Sequence, residues 1–458
     1  MPHFFFTPKS SAVIGATANS KKFGNAVTIN ILKNKNLKSK LFLVTQNSKE
    51  IRGIPCYQSI LDISEEIELA IILVPAKVVD AVINECITKK VRRIIIVTAG
   101  FGEISDEGKQ AEKLIAEKCK MNNIRIIGPN CVGIQNNEID LNASFIQAAP
   151  HGNISMISQS GSFGCASFYA MERENIGCSK FANIGNNVDI SFVDILDYFN
   201  TDSNTKLICI YMETITQGRK FFELLKEIIS RKPIVIFKGG RNATGMKAAS
   251  SHTGSIATNY KMLKAAIKQG GATLCESASD FMVALKTFSF LPIPQGDKIG
   301  VLTNSGGSSV LFSDKIEEFG LRLGDFSNNL KKKIKTHLIS LVKLVNPLDM
   351  IGVAGEAQYY EVTKAMLEDP EIDIVAPCLV IPPFLEMRSD EHYRGMIRAW
   401  NDTNREKPII PLIFFGESFE ELKKYANKEK APIFYTPQEA AFAVKILVER
   451  SRILNKKP

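Results

Sequence analysis

The chain has 458 residues, too many for one hydrophobic core, so two to four domains of roughly 100–200 residues are expected. Its composition, 45% hydrophobic and 23% charged, excludes a disordered chain. No apolar run reaches the roughly 18 residues of a membrane helix, so neither membrane insertion nor a cleaved signal peptide is expected, and a cytoplasmic location is. The net charge of +9 is spread over presumed helix surfaces. With a single tight run at Lys331–Lys333, it argues against nucleic acid and suits anionic small ligands.

The first segment alternates short apolar runs with amphipathic stretches. Ser11–Gly15, Leu41–Thr45, Leu69–Val74, Arg93–Val97 and Arg125–Ile127 read as buried parallel strands. Val78–Thr88 and Asp106–Met121 read as the helices between them. This alternation predicts a doubly wound α/β sheet closing near residue 145. A second α/β unit starts at Asn153–Ile157, continues through Leu207–Met212 and Pro233–Phe237, and ends in a helix near Phe290. The stretch Leu291-Pro-Ile-Pro-Gln-Gly-Asp297 is a linker, since its prolines remove amide donors and break periodicity. A third unit starts at Lys298 and echoes the second in order: Ile157–Ser162 with Leu302–Gly307, Asn187–Ile190 with Asn346–Met350, and Lys232–Phe237 with Lys407–Ile413. The echoes predict a duplicated domain.

The turn Ser158-Gln-Ser-Gly-Ser-Phe-Gly164 follows a strand and opens a helical pattern. Exposed amides and the positive end of a helix dipole suit a phosphate there. The alternative is a plain serine N-cap, which needs only one serine. The related turn Thr303–Ser308 is read as a structural helix start. In the first segment, the turn Ile14–Gly24 lacks a full GxGxxG pattern. With Leu73–Ala76, Thr98–Gly102 and Gly128–Gly133 it nevertheless outlines a crevice at the carboxyl ends of parallel strands. His252 lies in the glycine-rich loop Lys238–Ala257, directly after a strand. A lone histidine is commonly a surface or core residue. In this setting imidazole could accept and release a phosphoryl group, given a partner that fixes its tautomer. Glu213, at a strand end, is the candidate partner, and an ordinary strand-end glutamate is the alternative. The nine cysteines are scattered, without a CxxC pair or Cys/His cluster, so neither disulfides nor a metal site is expected.

The segments Gly128-Pro-Asn-Cys-Val-Gly133, Ser158-Gln-Ser-Gly161 and Ser251-His-Thr-Gly-Ser255 together resemble the α subunit of NDP-forming acyl-CoA synthetases, chiefly ADP-forming acetate–CoA ligase. The α subunit of succinyl-CoA synthetase is a more distant likeness. The resemblance covers essentially the whole chain and implies three parts. Residues 1–145 would be a Rossmann-like CoA-binding domain, residues 146–290 a ligase domain with a phosphohistidine loop, and residues 298–458 a second flavodoxin-like domain. Gly15, Ala16, Thr17, Val74, Pro75, Ala76, Thr98, Ala99, Gly100, Phe101, Asn130 and Cys131 would contact coenzyme A. Ser158, Gln159, Ser160, Gly161, Ser162 and Gly254 would hold phosphate or acyl-phosphate, with His252 as phosphoryl carrier steadied by Glu213.

The implied reaction is the reversible conversion of acyl-CoA, phosphate and ADP into carboxylic acid, CoA and ATP. ADP, ATP and Mg2+ would be bound by a separate ATP-grasp β subunit in an α2β2 assembly, because no segment follows the last helix that could supply that domain. The sequence departs from the family at Val44-Thr-Gln-Asn-Ser-Lys49, where an Asn-Pro-Lys contact to CoA is usual. Two other readings remain: a CoA-sensing protein without catalysis, and a Rossmann-type oxidoreductase. The imperfect glycine pattern and the lack of an acidic residue ending the second strand count against the oxidoreductase.

Overall fold

Strands covered on both faces are continuous apolar runs, and all of Leu69–Ile72 and Ile94–Ile96 is buried. They form the middle of a parallel sheet in a computed structural model that describes residues 3–33, 40–247, 259–380, 390–414 and 420–455. The chain divides into two units, Met1–Glu276 and Ser277–Pro458. All nine cysteines are free thiols. No described helix is long and apolar enough to cross a membrane.

The first unit holds two seven-stranded sheets. One contains β1 (Ser10–Ile14), β2 (Lys40–Val44), β3 (Glu50–Ile51), β4 (Ile54–Tyr57), β5 (Leu69–Ile72), β6 (Arg93–Ile96) and β7 (Arg125–Ile127). Their spatial order is β3-β4-β2-β1-β5-β6-β7, parallel except for the β3–β4 pair. The chain runs outward from β1 on one side and returns to β5 on the other. The carboxyl ends of β1 and β5 therefore flank the point where strand order reverses. The helices Ala76–Thr88 and Asp106–Met121 pack their buried faces into the core of this sheet through Val79, Ile83, Ile115 and Cys119.

The other sheet contains β8 (Gly133–Asn136), β9 (Leu141–Ser144), β10 (His151–Ser158), β11 (Cys178–Asn183), β12 (Leu207–Met212), β13 (Ile234–Lys238) and β14 (Thr273–Cys275). Their order is β14-β13-β12-β10-β11-β8-β9. The first five are parallel; β8 and β9 add on antiparallel, so residues 133–144 belong to the second sheet. A buried Lys180 on β11 pairs with Glu138 and, at 2.8 Å, with Asp202, fixing this seam.

The second unit is built on β15 (Ile299–Thr303), β16 (Leu348–Asp349), β17 (Ile374–Leu379) and β18 (Leu412–Ile413), in the order β16-β15-β17-β18. The long helix Pro437–Asn455 packs on the helices Ala278–Phe290 and Gly306–Glu318. This strand order repeats β11-β10-β12-β13, all parallel. Registers agree as well: Ser158 lies opposite Tyr211 as Thr303 lies opposite Cys378. The amide of Ile208 bonds Pro233 O as the amide of Val375 bonds Pro408 O. Two of the expected echoes are thus equivalent in space. The third is not: Asn183 stands beside Ser158 where Asp349 stands beside Thr303, and Asp189 lies beyond its strand.

Candidate functional site

A cavity of about 660 Å³ opens in the first unit at the carboxyl ends of β1, β5 and β6. Gly15, Val74, Pro75, Thr98, Ala99, Asn130 and Cys131 line it, and so do Gln159, Ser160, Gly161 and Ser162. The crevice of one sheet and the serine turn of the other therefore share a single space. Ala16, Thr17, Ala76, Gly100 and Phe101 are not part of the lining, and the Phe101 ring packs in the hydrophobic core. Ser158 is fully buried behind the turn. His252 and Gly254 lie outside the described residues.

Hydrogen bonds brace the wall of the cavity. The hydroxyl of Thr98 donates to Val74 O at 2.7 Å, and the amide of Asn130 donates to Thr98 O at 2.9 Å. The Asn130 side chain donates to Asn186 Oδ1 at 3.2 Å. Asn186 in turn donates to Glu103 and Glu112 at 2.7 and 2.9 Å. Burial works to raise the carboxyl of Glu103, but the bonds from Asn186 and the amide of Gly100 outweigh it and hold it below the usual range. Burial dominates at Glu112, whose carboxyl is raised despite Asn186. The Cys131 thiol donates to Ile96 O at 3.3 Å, and burial pushes it up to about 12. It is a neutral wall group at ordinary pH rather than a nucleophile.

The turn at Ser158 has several jobs. The hydroxyl of Ser158 donates to Ser160 O at 2.7 Å, pinning the turn. Ser160 caps the helix Gly161–Arg173 by accepting from the amide of Phe163 at 3.2 Å. A cap therefore accounts for Ser160 alone. The first amides of that helix, at Gly161 and Ser162, have no partner within the helix and stand at the cavity wall. Gly161 is required here, since a Cβ would lie 2.3 Å from Cγ1 of Val132. Asn183 holds the same junction together: its Oδ1 accepts from the amide of Val132 at 2.7 Å and its Nδ2 donates to Ser158 O at 2.8 Å.

Glu213 meets this turn through Gln159. Gln159 Oε1 accepts from the amides of Glu213 and Thr214, and its Nε2 donates to the Thr214 hydroxyl at 3.0 Å. The Tyr211 hydroxyl donates to Glu213 Oε1 at 3.3 Å, while its ring stacks on Phe163 at 4.2 Å. Burial, then the neighbouring Glu213, raises the Tyr211 phenol. Burial lowers the ammonium of Lys238 against the pull of Glu213, and that ammonium donates to Gly239 O. At Gly239, on the stem of the loop that leads to His252, a Cβ would lie 2.4 Å from the Tyr211 hydroxyl.

The repeated unit keeps this frame and lacks these groups. Asn304 bridges to Val380 N and O at 3.1 and 2.8 Å, much as Gln159 bridges to Glu213 and Thr214. By register Val380 occupies the place of Glu213, and Ile413 that of Lys238. The Asp349 carboxylate lies 3.3 Å from where a Cβ on Gly306 would stand, setting a negative charge at that helix start.

Sequence reasoning missed Lys21, Lys22, Phe23 and Phe145, which line the cavity together with Asn183 and Asn186. Phe23 stacks on Phe145 with ring centroids 4.3 Å apart. The two lysines lie inside the turn singled out above and could have been found as adjacent cations at a strand-to-helix turn.

Comparison with known proteins adds three domain matches. Residues 9–137 match a CoA binding domain, residues 151–288 a succinyl-CoA ligase like flavodoxin domain, and residues 299–446 a Ligase-CoA domain. The α subunit of acetate–CoA ligase [ADP-forming] II from Pyrococcus furiosus is 38% identical over 99% of this chain and 98% of its own. The α subunit of form I from the same organism is 36% identical over 98% and 97%. An ADP-forming acetate–CoA ligase of Archaeoglobus fulgidus, 34% identical, aligns with 98% of this chain but only 63% of its own length. Among solved structures, the dinucleotide-forming acetyl-coenzyme A synthetase 1 of Ca. Korarchaeum cryptofilum, in complex with phosphate and ADP, superposes with a TM-score of 0.92 at 31% identity, covering 98% of this chain and 96% of that one. A Pyrococcus horikoshii protein gives 0.88 at 36% identity over 99% and 100%.

Proposed function

Because the chain belongs to the family of ADP-forming acetate–CoA ligase α subunits, we propose that its cavity receives the thiol end of CoA and that His252 carries the phosphoryl group. A phosphate oxygen attacks the thioester carbon of acyl-CoA. The C–S bond breaks, releasing CoA and leaving acyl-phosphate beside Ser160–Ser162. An imidazole nitrogen of His252 then attacks phosphorus; the bond from phosphorus to the acyl oxygen breaks and the carboxylate leaves. Glu213 accepts a hydrogen bond from the N–H of the other ring nitrogen and so fixes the tautomer. Finally a terminal oxygen of ADP takes the phosphoryl group from nitrogen, giving ATP. The nucleotide and Mg2+ belong to an ATP-grasp β subunit in an α2β2 assembly located in the cytoplasm. This chain contributes positioning and hydrogen-bond donors.

In this reading Gln159 matters most. It ties the backbone of Glu213 to the serine turn, so the group that would steady His252 and the amides that would hold phosphate share one rigid frame. That bridge is the observation that supports the proposal best. Incubation with acetyl-CoA and radioactive phosphate tests it. Wild type is expected to take up acid-labile label and His252→Ala none. Persistent acid-labile label in His252→Ala would sink the assignment. Absence of label in both proteins, with CoA still bound, would favour a CoA sensor.

A further inference from the structure

Among the described residues of the first unit, Lys180 and Lys238 are the buried lysines, and they are placed very differently. Lys180 has the carboxylates of Glu138 and Asp202. Lys238, the last residue of β13, is 2% exposed, and its ammonium donates only to backbone: to Gly239 O and, at 3.3 Å, to Gly240 O. Among the described residues it makes no close ion pair, and the charge that acts on it is Glu213, at longer range. Both carbonyls belong to the stem of the loop that leads to His252. That stem is closely set. The amide of Gly239 donates to Met212 O at 2.9 Å, and Gly240 takes a left-handed φ of 68°.

A buried ammonium without a close counter-charge is costly. The repeated unit shows that this frame does not require one. Its strand end is built alike, with the amide of Phe414 donating to Leu379 O at 3.0 Å as that of Gly239 does to Met212 O. There Ile413, 1% exposed, fills the place of Lys238, and Cys378 and Val380 fill those of Tyr211 and Glu213. The three polar groups are thus replaced together in the half whose next segment, residues 414–420, contains no histidine. Departures from ordinary packing rules gather where a fold does chemistry. Resting on the reading of His252 as phosphoryl carrier, we infer that Lys238 is a positioning residue for phosphoryl transfer: its ammonium gathers the carbonyls of Gly239 and Gly240, fixing the base of the loop, and keeps a positive charge in the field of Glu213. An ammonium suits this task, since its three hydrogens serve two carbonyls at once.

The test is Lys238→Met, which removes charge and donors and keeps an unbranched side chain. The full chain is incubated with acetyl-CoA and radioactive phosphate. The initial rate of acid-labile labelling is read beside CoA affinity, by calorimetric titration, and melting temperature. Labelling is expected to slow at least about tenfold. CoA affinity should stay within about twofold of wild type. The melting temperature should equal that of wild type or exceed it, because an apolar group replaces a buried charge. A smaller loss of labelling would overturn the inference. So would a variant that melted lower, failed to fold or lost CoA affinity in step with labelling, because the ammonium would then serve the fold. Wild type and His252→Ala run alongside. Label in wild type, none in His252→Ala and undiminished label in Lys238→Met would overturn the role of Lys238 alone. Wild type without label, with CoA still bound, would overturn the reading of His252 and this inference with it.

Discussion

Replacing Asn183 with alanine removes one carboxamide that serves two backbone groups from different loops. The amide of Val132 would lose its bond at 2.7 Å, and the carbonyl of Ser158 would lose the bond at 2.8 Å while keeping that from the amide of Ile184 at 3.0 Å. Leaving a buried polar group without its partner costs about 1–3 kcal/mol, so one such group, one lost second bond and the vacated volume amount to about 2–4 kcal/mol. For a unit of this size that corresponds to a fall in melting temperature of about 5–10 °C. Differential scanning calorimetry on the whole chain is the appropriate assay, because two units need not melt as one and their transitions must be separated. Asn183→Asp sharpens the test. It keeps an acceptor for Val132 but sets an oxygen against the Ser158 carbonyl, so at neutral pH it should be at least as damaging as alanine. A melting temperature for Asn183→Ala within about 1 °C of wild type would refute the claim that this side chain joins the two loops.

Two other substitutions probe separate features. Gly239→Ala would push the Tyr211 hydroxyl from its position on Glu213. Acetyl-CoA turnover of the assembled enzyme should fall at least about tenfold while CoA affinity stays unchanged, and equal turnover would count against Tyr211 as a positioning residue. Glu112→Gln tests the half-buried carboxyl beside Asn186. The folded chain holds the Glu112 proton more tightly than the unfolded chain does. Its contribution is therefore fully present below the unfolded value and lost as pH rises through the folded one. The variant should melt higher than wild type at pH 7, with the difference closing as pH falls below about 4. A variant that melted lower at pH 7 would contradict the assignment.

Much of the first sheet could be read from residue order, because strands such as Leu69–Ile72 are apolar on both faces and the helices beside them carry polar surfaces. The helix Phe23–Leu32 was not read, as its apolar residues are not confined to one side. The strands β8 and β9 were missed for a different reason: they are buried yet polar. Gln135 donates to Ser144 and to Gln147 O at 3.1 and 2.9 Å, and Asn136 to Phe6 O at 2.8 Å. Satisfied amides cost little to bury, but they erase the hydrophobic pattern that marks a strand. Lys180 hid β11 in the same way, since a lysine reads as exposed until its carboxylate partners are seen. At the site, the serine turn and Glu213 were legible from type and place. Their connection through Gln159 was not, because the two lie 54 residues apart.

The hairpin of β8 and β9 crosses from the last strand of one sheet to the margin of the next, and this has a bearing on how the chain could be divided. A polypeptide severed near residue 145 would leave Cys178–Asn183, buried along its whole length, as an open margin of unbonded amides and carbonyls. The other fragment would carry the two detached strands that complete it. Such margins recruit whatever strand can pair with them. Two fragments made separately would thus hold mutually complementary edges and could reassemble by strand addition, whereas either one alone would be prone to self-association.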